Sequence, residues 1–122
     1  MPTARFDPAA GPINAAVSCK PNRNGSYHIK LWEANVNTVV KEFEGNFINT
    51  DDDAFDLDQP NSEHNGRLVE AIVVVAIPAG VGPSTVRLTV SQDGRTLATD
   101  SGDVPPGSPG SLVDLFIDLV AQ

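Results

Sequence analysis

The chain is short of cysteine, aromatic residues, positive charge and long apolar runs, and each shortage removes a class of explanation. Cys19 is the only cysteine, so no intrachain disulfide exists and a disulfide-stapled scaffold is excluded. It follows Ala15, Ala16 and Val17 and reads as a small buried hydrophobe rather than a nucleophile. No stretch reaches the roughly 18 apolar residues of a membrane-spanning helix. Residues 1–11 lack the charged start and apolar stretch of a secretory signal. With one cysteine, that favours the cytoplasm.

Eight Lys and Arg residues against sixteen Asp and Glu leave a net charge of −8. Nucleic acid requires clustered Lys and Arg and is not an expected partner. Anionic membrane surfaces are disfavoured on the same ground. His28 and His64 are the only histidines. No HxH or CxxC spacing supports zinc, and no nucleophile elbow supports a hydrolytic triad. The chain therefore reads as a non-enzyme, with a small hydrolase as the second alternative.

What the chain does have is alternation. Tyr27, Ile29 and Leu31 interleave with His28, Lys30 and Trp32, and Val86, Leu88 and Val90 with Arg87, Thr89 and Ser91. A period of two marks half-buried strands. The expected strands cover 13–19, 26–33, 38–44, 46–49, 68–77, 85–91, 95–99 and 112–121. Ile72 to Ile77 is continuously apolar, which predicts a central strand covered on both faces. Asn24-Gly25 and Asp93-Gly94 are hairpin signals, since both readily take positive φ. The tail also fits a helix capped by Ser111, but its β-branched and aromatic residues favour a strand. Residues 1–11 read as an N-terminal arm, and 12–122 as one antiparallel β-sandwich of seven or eight strands, immunoglobulin-like or jelly-roll-like.

Two places carry candidate chemistry. Residues 50–66 read as the longest loop. Between Glu42 and Glu70 there are nine acidic residues, offset only by Arg67. Calcium takes six to eight oxygens, and Asn49, Asp51, Asp53, Asp56 and Asp58 form the candidate set. That makes a calcium-dependent or carbohydrate-binding module the first alternative, set against a loop whose Asp residues simply favour turns. The second place is the outward face of the strand over 26–33. His28, Lys30 and Trp32 share it, and Trp32 is the only tryptophan. An exposed Trp commonly anchors an interface. With Phe116 from the tail, these residues form the expected binding surface. The leading expectation is a non-catalytic module that contacts protein, another chain or its own copy, as a homodimer or small oligomer.

Overall fold

Buried and solvent-facing residues alternate along the long strands, and two inward faces meet to make one core. The structure, a computed structural model, describes residues 1–48, 50 and 52–122. Its strands are β1 (Thr3–Phe6), β2 (Ile13–Lys20), β3 (Asn24–Trp32), β4 (Val39–Asn46), β5 (Asp52–Asp56), β6 (Leu68–Ala76), β7 (Ser84–Gln92), β8 (Arg95–Val104) and β9 (Ser111–Ala121). One sheet has the order β1-β9-β6-β3-β4 and the other β5-β2-β7-β8. The all-β sandwich is as expected, with nine described strands rather than seven or eight. Ile29, Leu31, Val73, Val75, Val86, Leu88 and Val90 are all buried in it. No helix among the described residues is long and apolar enough to cross a membrane.

The Asp93-Gly94 expectation holds. Both residues have positive φ, 52° and 76°, and they join the β7–β8 hairpin. The Asn24-Gly25 expectation does not hold. β2 and β3 belong to different sheets and do not pair. Asn24 and Gly25 are already in β3, opposite Ala76 and Val75. Glycine is needed there for close approach, because a Cβ would lie 2.7 Å from the Val74 carbonyl oxygen. The separate strand expected at 46–49 is instead the end of β4 at Asn46.

The stretch 50–66 is less irregular than its composition suggests. β5 pairs with β2 from Asn14↔Asp56 to Ser18↔Asp52, and Asn61–His64 forms a short 3-10 helix. Aspartate disfavours strands, but a partner strand supplies the missing backbone hydrogen bonds and the carboxylates point to solvent or to donors. The tail is a strand, as favoured. Part of the N-terminal arm is also a strand: β1 pairs in parallel with β9 and buries Ala4 and Phe6. Gln92 clamps the connection between β1 and β2, donating to the carbonyls of Asp7 and Gly11 at 2.8 and 2.9 Å. Asn61 Nδ2 donates to the carbonyls of Ala10 and Gly11 at 3.1 and 2.9 Å.

β6 is central, flanked by β9 and β3, but it is not covered on both faces. Val74 is 40% exposed and Leu112, its partner on β9, is 63% exposed. The apolar run therefore reflects one buried face and one open face that carries apolar residues.

Candidate functional site

The two sheets present different surfaces to solvent. On the four-stranded sheet the outward residues are polar or small: Asn14, Ala16 and Ser18 on β2, Ala54 on β5, Thr85, Arg87 and Thr89 on β7, and Ser101 and Asp103 on β8. Such a face is what a solvated antiparallel sheet requires. On the five-stranded sheet, the outward face carries Trp32, Leu68, Ile72, Val74, Leu112 and Phe116 among charged groups.

Strand register assembles this surface. His28, Lys30 and Trp32 lie two apart on β3 and share a face. Lys30 pairs with Glu70 on β6, and Glu70 with Phe116 on β9. One row across three strands therefore reads Lys30, Glu70, Phe116. The row above holds Trp32, Leu68 and Asp118; the row below holds His28, Ile72 and Asp114. All four binding-surface candidates of the sequence, His28, Lys30, Trp32 and Phe116, are thus on one face.

Trp32 Nε1 donates to Glu70 Oε1 at 2.9 Å, and Lys30 Nζ lies 5.6 Å from the Trp32 ring centroid. His28 Nε2 approaches Glu42 at 3.1 Å and Nδ1 approaches Glu44 at 3.6 Å. Glu70 is 7% exposed, and Asp114 is its diagonal neighbour across the β6–β9 pairing. Loss of hydration, the Glu70 hydrogen bond and the Glu70 charge push the Asp114 carboxyl up to about 6, against a smaller opposing pull from Lys30. The Asp114 carboxyl is therefore protonated in mildly acidic solution, where it can donate toward Glu70.

A groove of about 480 Å³ opens beside the Trp32–Glu70–Phe116 cluster, with the β3–β4 connection as its rim. That rim is braced. Arg67 Nε and Nη2 donate to the two Glu33 carboxylate oxygens at 3.0 and 2.8 Å. Arg67 Nη1 also lies 3.1 Å from His64 Nδ1, and His64 Nε2 lies 2.6 Å from the Asp58 carbonyl oxygen. The arrangement fits Nε2 donating and Nδ1 accepting. The Arg67 hydrogen bond, followed by one from the Ala34 amide, holds the Glu33 carboxyl down at about 2.

The three described calcium candidates, Asp53, Asp56 and Asp58, do not assemble. Asn49 and Asp51 lie outside the described residues. Asp53 accepts from the Tyr27 hydroxyl at 2.5 Å. Asp56 accepts from Asn14 Nδ2 at 3.1 Å, and Asp58 lies 3.5 Å from Lys41 Nζ. Asp53 and Asp56 are three apart on one strand and so face opposite ways. No group of three or more His, Cys, Asp or Glu among the described residues could hold a metal ion. The Asp53 partnership instead holds the Tyr27 phenol in place, and burial and the Asp53 hydrogen bond push that phenol well above its usual range.

Sequence reasoning missed Glu70, Val74 and Leu112 as parts of this face. A signal for Glu70 was present: it is the one carboxylate in the otherwise apolar run Leu68–Ala76. Nothing local links it to Asp114, which is 44 residues on and becomes a neighbour only through β6–β9 pairing. Comparisons with protein-family models, with curated proteins and with solved structures find no match to this chain.

Proposed function

We propose that this protein is a non-catalytic interaction module that binds another protein through the outward face of its five-stranded sheet. One observation carries the reading: Trp32, Phe116, Val74 and Leu112 lie on an uncovered sheet face whose counterpart on the other sheet carries polar or small side chains. Large apolar patches rimmed by polar groups mark interaction sites, and interface cores favour aromatic anchors. The rim also suggests the partner's chemistry. Glu42, Glu44 and Asp114 are exposed, against Arg5, Lys30 and the imidazole of His28. A surface with apolar residues framed by Lys and Arg is complementary. The carboxylates outnumber the Lys and Arg side chains here, which favours a different, basic protein over a second copy.

Two measurements test this. Light scattering over a range of concentrations should return a constant monomer mass; a mass that rises makes the partner a second copy. A photo-crosslinking residue at position 112 should give a discrete heterologous adduct that V74D and W32A abolish and added salt weakens. The same residue at position 99, on the outward face of the other sheet, should give none. Equal adducts from both positions, or an adduct indifferent to V74D, would overturn the reading. A calcium-dependent module finds no comparable support, since Asp53, Asp56 and Asp58 each engage a different partner.

A further inference from the structure

At the other end of β3 from Trp32, the β2–β3, β6–β7 and β8–β9 connections line an open concavity of about 680 Å³. That volume is in the ordinary range for small-ligand sites, which are mostly apolar with a few convergent polar groups. Ile77, which is 2% exposed, lies at its base, and Ala76, Pro78, Val81 and Pro109 supply apolar wall.

Its charge is unlike that of the rest of the molecule. The chain has sixteen acidic residues, yet none of the eleven residues lining this concavity is acidic, and one of them is Arg23. Among the described residues Arg23 has no ion-pair partner. Its Nη1 donates to the Asn22 carbonyl at 2.9 Å and its Nη2 to the Gly82 carbonyl at 3.3 Å. Nε is buried without a hydrogen-bond partner among the described residues. A guanidinium has five N–H donors, so two backbone contacts leave donors on both Nη atoms. The charge is fixed in direction, and no described carboxylate meets it.

The walls are set in advance. Ile77 N–H donates to the Ser108 carbonyl at 2.8 Å, which ties the β6–β7 connection to the β8–β9 connection. Ser84 Oγ donates to the Pro21 carbonyl at 2.7 Å, and Ser108 Oγ to the Pro105 carbonyl at 2.7 Å. Pro78 and Pro109 have fixed φ. Little ordering is left for a ligand to impose, which favours binding.

We infer that this concavity binds a small amphipathic carboxylate, with its apolar body against Ile77, Val81 and Pro109 and its carboxylate on Arg23. One guanidinium, with no second Lys or Arg in the lining, suits a monoanion better than a phosphate. The site lies at the opposite end of β3 from Trp32 and adjoins the Val74–Leu112 end of the sheet face.

Octanoate, octanol and octylamine are the probes, and amide chemical shifts of the labelled protein are the readout. Octanoate should shift the Ile77, Val81 and Ser108 amides saturably, and octanol should do so about tenfold more weakly, the value of one charge-assisted hydrogen bond. Octylamine should leave these amides unmoved. R23Q should reduce octanoate to the level of octanol, and R23K should restore part of the difference. Because Arg23 also holds the Gly82 carbonyl, V81D provides a second test: a carboxylate at the mouth should block octanoate with the melting temperature unchanged. Equal affinity for octanoate and octanol, shifts centred on Trp32, or no saturation would overturn the inference.

Discussion

Replacing Asp114 with Asn should remove a pH response from both stability and Trp32 fluorescence. The Asp114 carboxyl is moved from its ordinary 3.8 up to about 6, first by loss of hydration and then by Glu70. Folded protein therefore holds this proton more tightly than unfolded chain does. The stabilisation is fully present below about 3.8 and is lost as pH rises through about 6. A shift of about two units would be worth about 3 kcal/mol in a dry site. Asp114 is solvent-exposed, and screening reduces the figure to about 1 kcal/mol. For a domain of this size that is about 4 °C in melting temperature. Asn presents an amide donor to Glu70 at every pH. D114N and wild type should therefore melt together near pH 4 and separate by about 4 °C in favour of D114N near pH 7. Trp32 is the only tryptophan and donates directly to Glu70, so its emission should titrate with a midpoint near 6 in wild type and not in D114N. His28 is on the same face, and H28Q is the control that should keep the midpoint. A gap between the melting curves that is constant with pH, or a midpoint that survives D114N, would refute the raised Asp114 carboxyl.

Glu33 should act in the opposite sense. Its carboxyl is held at about 2 by Arg67, so its stabilisation is present above the ordinary 4.5 and is lost as pH falls below that; R67Q should flatten the acid limb of a melting-temperature profile. Leu88→Ala and Val75→Ala should each cost about 2–4 kcal/mol by denaturant titration, because both side chains are fully buried and neither leaves a site that can collapse. Gly45→Ala should cost about 1–3 kcal/mol, since its Cβ would meet the Tyr27 phenol that Asp53 holds, and a stability equal to wild type would show that the ring moves freely. Asp100→Ala should cost about 1–3 kcal/mol, because Asp100 Oδ2 accepts the Phe116 amide at 3.0 Å; unchanged protection of that amide in hydrogen exchange would count against it.

Local pattern and long-range pairing explain different parts of this molecule. Alternation along residues 26–33 placed His28, Lys30 and Trp32 on one side of a strand, and the tail's alternation did the same for Phe116, because side-chain direction in a strand is a local property. Asn24-Gly25 and Asp93-Gly94 carry nearly the same local signal, yet one is inside a strand and the other is a turn. The difference lies in the neighbour: the Val74 carbonyl closes over Gly25, while nothing approaches Gly94 within 4 Å. β5 was hidden for a similar reason, since its aspartates argue against a strand until β2 is there to pair with it.

The same division explains why the candidate face was only half legible. Its anchors follow from period two, but its chemistry depends on which strands adjoin. An apolar run such as 72–77 has two readings, a strand covered on both sides or one that offers an apolar outer face to a partner, and composition is identical in both. The choice is made by whether a layer packs outside the sheet, which here would have to be a further element of the chain. Every described strand is already used in the two sheets, and the 3-10 helix Asn61–His64 leads into Asn65 and Gly66, which bond to the Leu119–Ala121 end of β9, away from Leu112. No described strand or helix of the two sheets covers Val74 and Leu112. Burial of such side chains contributes roughly 1.5–3 kcal/mol each when they are covered, which is the physical ground for the proposed interaction surface. Glu70 fits the same logic. A carboxylate in the middle of a central strand costs stability unless it is paired, and Glu70 is paired by the Trp32 indole, whose Nε1 it holds at 2.9 Å on the exposed face.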